Sequence, residues 1–139
     1  MENQKDSQIY SAKIVIVDDS KDITDCLSVL LKFENFTDIN TFNNPNDALN
    51  FLKNNNKPDI VIADLILPEM SGLVFFEKLN ELYPKICKIL IGAYIAEEDF
   101  QRAVYETGID KYFDKPWNND ELIDCIKNGI EKQLENKGY

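Results

Sequence analysis

Four charged side chains stand where apolar segments of the chain end. Asp18 and Asp19 follow the segment KIVIV, Asp64 follows DIVIA, and Lys115 comes shortly after IDKYF. If these segments are parallel strands, their carboxyl ends meet at one edge of a sheet, which is where open α/β sheets bind ligands. Three carboxylates held close together repel one another, and at neutral pH such a group needs a cation. We therefore predict a cation site formed by these aspartates, with the ammonium group of Lys115 beside it.

The residue types available at this site narrow its chemistry. The chain contains no histidine, which excludes a Ser-His-Asp triad and a histidine-ligated zinc ion. Oxygen-only ligands favour a hard cation, so we predict Mg²⁺, and Mn²⁺ would fit the same ligands. A metal ion, a lysine and a carboxylate that can act as acceptor are the components of phosphoryl transfer.

Each of these residues also has a simpler interpretation when taken alone. The sequence DDS before a helix commonly serves as a helix cap with acidic residues that favour the helix dipole. An aspartate at a strand end often forms a turn, and Lys115 before Pro116 is typical of a surface lysine. The functional interpretation depends on all four charged residues meeting at one sheet edge.

The elements that must position these residues alternate along the chain. Five apolar segments, rich in isoleucine and valine, predict strands buried on both faces at residues 13–17, 36–42, 59–63, 88–91 and 109–113. Amphipathic stretches between them predict helices; Asn44 and Pro45 begin the second, and Gly108 ends the fourth. Five strand–helix pairs predict an α/β fold with a doubly wound parallel sheet.

Length and composition indicate one globular domain. The chain has 139 residues and a net charge of -10, which argues against nucleic-acid binding by this chain alone. No apolar run is long enough to span a membrane, and the first residues do not resemble a signal peptide, so we expect a cytoplasmic protein. We expect a flexible tail over 1–11, the domain over 12–135 and a frayed end over 136–139. The three cysteines are expected to be reduced core thiols.

Three motifs carry a resemblance to a known family. They are IVDDS at 16–20, DLILPEMSG at 64–72 and YFDKPW at 112–117. With these motifs the chain resembles the receiver domain of bacterial two-component response regulators, of the chemotaxis-regulator type, from about Lys13 to Leu134. The resemblance implies a flavodoxin-like sheet of strand order 2-1-3-4-5 with helices on both faces. It also implies that Asp64 is the phosphoacceptor of a phosphorelay and becomes an aspartyl phosphate. The donor would be a histidine kinase or a phosphotransfer protein.

The resemblance assigns further roles around the acceptor. Asp18 and Asp19 would hold Mg²⁺ together with Asp64 and the backbone carbonyl of Ile66. Lys115 would pair with a phosphoryl oxygen, and the bond between Lys115 and Pro116 is expected to be cis. The surface formed by the fourth predicted helix, the fifth strand and the fifth helix would contact a downstream output domain or protein. We expect no enzymatic activity beyond two autocatalytic reactions. These are transfer of a phosphoryl group onto this chain and its loss by autodephosphorylation.

One position departs from the family pattern. Where the family carries Thr or Ser at the end of strand four, this chain has Gly92, which we expect to leave a void there. The backbone N–H groups of Gly92 and Ala93 would still bind the phosphoryl group. The switch that couples the missing hydroxyl to the aromatic residue on strand five, here Tyr112, would then be blunted. Ile66 and Tyr94 occupy the positions that flank the path of hydrolytic water, and their bulk predicts slow hydrolysis.

Two alternatives to a phosphorylated receiver remain at this point. The first is a pseudo-receiver that acts as a phosphorylation-independent interaction module, which Gly92 favours and the intact acidic residues oppose. The second is a metal-dependent phosphatase with an aspartyl nucleophile. Such an enzyme would need a carboxylate two residues beyond the nucleophile, where this chain has Ile66.

Overall fold

The computed structural model describes residues 4–93 and 95–136. Within them the chain forms a single five-stranded parallel sheet of order β2-β1-β3-β4-β5, which confirms the predicted fold and strand order. The strands are β1 (Lys13–Val17), β2 (Asp38–Phe42), β3 (Ile60–Asp64), β4 (Cys87–Gly92) and β5 (Lys111–Asp114). Strands β3 and β4 are buried at every position, as their isoleucine- and valine-rich sequences predict.

Helices cover both faces of the sheet. They are α1 (Gln4–Tyr10), α2 (Lys21–Phe33), α3 (Pro45–Lys53), α4 (Gly72–Leu82), α5 (Glu97–Thr107) and α6 (Asn119–Asn136). Alternate strand residues face two separate cores: one is completed by α1, α2 and α6, and the other by α3, α4 and α5. In the part of the chain that the structure describes, none of these helices has the length and apolar character needed to cross a membrane.

Local capping fixes where helices begin and end near the site. The hydroxyls of Ser20 and Ser71 each accept a hydrogen bond from the backbone N–H three residues further on. The Asn44 side chain caps α3 by accepting a hydrogen bond from the backbone N–H of Asn46, with Pro45 as the first helical residue. Gly108 ends α5 in the left-handed conformation with φ of 71°. The helix start at Asn44 and the helix end at Gly108 confirm the sequence prediction.

The N-terminal segment differs from the flexible tail that we expected over 1–11. Residues Gln4–Tyr10 form α1, and the Ile9 side chain is only 5% exposed in the core beside α6. The backbone carbonyl of Tyr10 accepts a hydrogen bond of 3.1 Å from Thr37, and its ring lies 5.5 Å from that of Phe36. These contacts with distant elements order a segment whose local composition is polar. Residues 1–3 and 137–139 lie outside the described part, and α6 extends to residue 136.

The cysteines do not all lie in the core. All three are free thiols, as predicted, and Cys87 is buried while Cys125 is half-buried. Cys26 is exposed on α2, so its assignment to the core was wrong. Its neighbour Leu27 is the residue of that turn that faces the sheet.

Candidate functional site

The three predicted aspartates meet at the carboxyl edge of the sheet. Asp18 directly follows β1 and Asp64 ends β3, and these two strands are neighbours. One carboxylate oxygen from each of Asp18, Asp19 and Asp64 lies within 4.8 Å of the others. The side chains of Asp18 and Asp64 are buried, with residue exposures of 3% and 9%, whereas Asp19 is exposed to solvent. The cluster is therefore open to solvent on the side of Asp19.

Lys115 joins this cluster from β5, two strands away from Asp64. Its Nζ donates a hydrogen bond of 2.9 Å to Asp18 Oδ2 and lies 3.4 Å from Asp64 Oδ2. Its backbone N–H donates to the carbonyl of Gly92, and the bond between Lys115 and Pro116 is cis, as expected. Burial lowers the pKa of Lys115, but the hydrogen bonds and charges of Asp18 and Asp64 outweigh it, so its pKa is raised. The ammonium group therefore stays charged at neutral pH.

The Asp64 carboxyl lies in an unfavourable place for a negative charge. Burial raises its pKa most, and the charge of Asp18 raises it further. The charge and hydrogen bond of Lys115 and the backbone N–H of Ile66 act in the opposite direction, without cancelling the rise. A cation bound among the carboxylates would lower this pKa, because an opposite charge favours the ionised form.

Backbone and side-chain donors hold Asp18 in place. The N–H of Ser20 donates a hydrogen bond of 2.9 Å to Asp18 Oδ1. The Nδ2 of Asn43 donates to the Asp18 carbonyl at 2.8 Å and lies 3.1 Å from the hydroxyl of Thr24. Asn43 was missed from the sequence. It directly follows β2, the strand next to β1, and a polar residue at that point is the signal that would have found it.

The loop after Asp64 returns so closely that only a glycine fits at position 72. A Cβ built on Gly72 would lie 2.3 Å from the carbonyl oxygen of Asp64 and 2.9 Å from Leu90 Cδ1. The Gly72 N–H donates a hydrogen bond of 2.7 Å to the carbonyl of Leu65. Within this loop, Ile66 forms an isolated β-bridge with Ser71. The Ile66 side chain lies at the rim of the site, with 73% of its surface exposed.

The space beside Gly92 is filled, so the void that we expected at this position is wrong. A Cβ on Gly92 would lie 3.0 Å from Tyr112 Oη and 3.0 Å from Leu65 Cβ. The hydroxyl of Tyr112 occupies the room that a larger residue at position 92 would take. Ala93 is exposed after the end of β4. Tyr94, which we expected to influence hydrolysis, lies outside the described residues.

The donor set suits a hard divalent cation. The three carboxylates supply oxygen ligands within 4.8 Å of one another, and the exposed Asp19 leaves room for water ligands. Two of the three carboxylates are buried, and among the described residues Lys115 supplies the one ammonium group that pairs with them, so the cluster carries excess negative charge. These residues fit Mg²⁺ or Mn²⁺ better than a soft metal, because thiolate and imidazole ligands are absent from the cluster.

Comparisons with known proteins match most of the chain to one family. The family model described as response regulator receiver domain matches residues 14–127. The CpxR homolog of Haemophilus influenzae, a transcriptional regulatory protein, is 36% identical over 118 residues, which is 84% of this chain and 49% of that protein. The hydrogenase transcriptional regulatory protein HoxA of Cupriavidus necator is 35% identical over 74 residues, or 53% of this chain and 15% of its own length. The chain thus spans no more than half of these two curated relatives.

The crystal structure of a CheY-like response regulator receiver domain from Methanospirillum hungatei superposes on this chain with a TM-score of 0.82 and 28% identity. That match covers 91% of this chain and 98% of the other.

Proposed function

The chain belongs to the response regulator receiver domain family, and from this premise we propose that Asp64 is its phosphoacceptor in a Mg²⁺-dependent reaction. One observation carries the proposal. Three carboxylates from two distant points of the chain lie within 4.8 Å of one another, and the Nζ of Lys115 lies 2.9 Å and 3.4 Å from two of them. A helix cap, a turn aspartate and a surface lysine have no reason to converge in this way.

The proposed reaction uses Asp64 as the nucleophile. An oxygen of its carboxylate attacks the phosphorus of a phosphohistidine on a partner kinase or phosphotransfer protein. The new P–O bond forms as the P–N bond breaks, and the electron pair of that bond leaves with the imidazole of the partner. Asp64 must be ionised to attack, although burial raises its pKa. The neighbouring ammonium group and a bound cation both favour the ionised form.

The residues around Asp64 compensate the negative charge of the phosphoryl group in two ways. Asp18, Asp19, Asp64 and the backbone carbonyl of Ile66 would hold Mg²⁺, which neutralises charge on the phosphoryl oxygens when it is bound. Lys115 is freed from its pairing with Asp18 and Asp64 and pairs with a phosphoryl oxygen. Because this ammonium group comes from the end of β5, its movement carries the signal to that strand.

We propose that the output partner binds the surface formed by α5, β5 and α6. This surface begins next to Lys115 and Tyr112, and it presents exposed apolar groups at Val104 and Tyr105 on α5. The curated relatives are transcriptional regulators in which this region is one part of a longer protein. The proposed role here is therefore that of a signalling domain, whose only reactions are its own phosphorylation and autodephosphorylation.

Incorporation of phosphate tests the proposal directly. The 139-residue chain is incubated with acetyl phosphate, with and without Mg²⁺, and intact mass spectrometry should show one phosphoryl group only when Mg²⁺ is present. Asp64→Asn should abolish this gain in mass. Asp47→Asn removes an exposed carboxylate from α3 and should leave it unchanged. A wild-type chain with no Mg²⁺-dependent gain in mass would instead support the pseudo-receiver alternative.

A further inference from the structure

The hydroxyl group of Tyr112 has no hydrogen-bond partner within the part of the chain that the structure describes. Its Oη atom is buried, although the residue as a whole is half-exposed. The side chain reaches this position from β5, with its ring against the ring of Phe100 at a centroid distance of 6.3 Å. A buried hydroxyl without a partner costs free energy, so an unpaired one at a candidate site requires an explanation.

The unpaired hydroxyl points into the space that Gly92 leaves. Tyr112 Oη lies 3.0 Å from the position that a Cβ on Gly92 would take. Asp64 pairs with Ile91 in the sheet register, so Gly92 is one residue beyond the strand position next to the acceptor. A serine or threonine at position 92 would place its own hydroxyl in the same region. Here glycine leaves the room and the tyrosine supplies the oxygen.

The protonation state of the Tyr112 phenol makes it a hydrogen-bond donor toward an anion. Burial raises its pKa most, followed by the charge of Asp114, the interaction of the Asp114 carboxylate with the phenol, and then the charge of Asp64, to about 12. The Asp114 carboxylate does not reach hydrogen-bond geometry with Oη, so it does not satisfy the hydroxyl. The phenol therefore keeps its proton at neutral pH and can donate a hydrogen bond. Asp64 is paired with Ile91 in the sheet and Gly92 follows Ile91, so the phenol beside Gly92 lies at the end of the strand next to the acceptor. A phosphoryl group on Asp64 would bring anionic oxygens still closer to the phenol.

We propose that Tyr112 Oη donates a hydrogen bond to a non-bridging oxygen of the phosphoryl group on Asp64, in place of the side-chain hydroxyl that Gly92 lacks. The proposal rests on the function proposed above, because it needs Asp64 to be phosphorylated. No proton is transferred: it stays on Oη while the phosphoryl oxygen accepts. Tyr112 is then a phosphoryl-binding residue of this chain as well as part of the output surface.

Beryllofluoride, which mimics a phosphoryl group on a carboxylate, provides the test. Its affinity for the 139-residue chain is measured in the presence of Mg²⁺ by titration. Tyr112→Phe should weaken binding about tenfold, as expected for the loss of one charge-assisted hydrogen bond. It should leave the melting temperature of the unliganded chain unchanged or higher, because no described residue forms a hydrogen bond with this hydroxyl.

Tyr83→Phe is the matched control. Its hydroxyl donates a hydrogen bond of 2.8 Å to the carbonyl of Leu52, far from the site. This variant should lose thermal stability and keep its affinity for beryllofluoride, which is the reverse of Tyr112→Phe. A loss of affinity through general destabilisation would appear in both variants.

A double-mutant cycle with Gly92→Ser completes the test. Serine supplies a hydroxyl of its own, so in that background Tyr112→Phe should weaken beryllofluoride binding less than threefold. Equal affinities of the wild type and Tyr112→Phe, with both binding beryllofluoride, would overturn this inference and leave the proposed function standing. A wild type that does not bind beryllofluoride with Mg²⁺ would overturn the proposed function, and this inference with it.

Discussion

Gly72 links the geometry of the backbone to the position of the acceptor, and Gly72→Ala tests that link. A Cβ at this position would lie 2.3 Å from the Asp64 carbonyl oxygen, where ordinary contacts begin at 3.4 Å. The carbonyl belongs to the backbone and cannot rotate away, so the strand end that carries Asp64 must shift by roughly 1 Å. Overpacking of this kind costs about 1–3 kcal/mol. The better helix propensity of alanine offsets less than about 1 kcal/mol of it.

We therefore expect Gly72→Ala to lower the free energy of unfolding by about 2 kcal/mol, which corresponds to a melting temperature lower by roughly 5–10 °C. The effect on function should be larger than the effect on stability. A misplacement of about 1 Å at a reacting group can reduce a rate on the order of a hundredfold. The rate of labelling by acetyl phosphate, followed by mass spectrometry at a temperature where the variant is fully folded, measures this loss.

Gly108→Ala is the control for instability alone. Gly108 has φ of 71°, and a Cβ there would meet nothing within 4 Å. Alanine in the left-handed conformation costs about 1–2 kcal/mol without touching the site. This variant should melt at a lower temperature and be labelled at the wild-type rate. A Gly72→Ala chain that is labelled as fast as wild type would refute the reasoning, whatever its melting temperature.

Three further predictions concern the carboxyl of Asp64, the rim of the site and the thiols. The pKa of Asp64 is raised above its ordinary value of 3.8 in the folded chain, so the native state binds this proton more tightly than the unfolded state. This tighter proton binding stabilises the native state fully below pH 3.8. The stabilisation is lost as pH rises through the folded pKa of Asp64. Without Mg²⁺, urea unfolding should therefore show Asp64→Asn gaining stability over wild type as pH rises above 3.8 and through the folded pKa, and a pH-independent difference would contradict this. Ile66→Asn should shorten the lifetime of the phosphorylated chain, measured by mass spectrometry after the donor is removed. The reason is that the exposed apolar side chain of Ile66 at the rim cannot orient a water molecule, whereas an amide can. With a thiol reagent, the exposed Cys26 should react first and Cys87 last, because burial raises the pKa of the Cys87 thiol. Equal rates of alkylation by peptide mapping would show that Cys87 is accessible.

The sequence by itself determined the elements and the chemical character of the site. Short runs of isoleucine and valine are typical of strands buried on both faces of a parallel sheet, and β1, β3 and β4 lie where these runs predict. The caps at Asn44 and Gly108 act within a few residues of themselves, so their roles follow from local sequence. The order of the strands came from the resemblance to receiver domains. Hydrophobic periodicity alone is the same for every order of buried parallel strands.

The sequence predicted that the charged side chains share one sheet edge, but only the tertiary structure decided which of their atoms pair. Lys115 touches Asp18 across 97 residues of chain because β5 and β1 end at one edge, and no local pattern contains that distance. The residues of α1 are mostly polar, and the helix is held by packing of the Ile9 side chain in the core beside α6. The place of Gly92 was visible in the sequence, but the tyrosine that fills the space beside it comes from another strand. A side chain occupies whatever room its neighbours leave, and that room exists only once the strands are packed together.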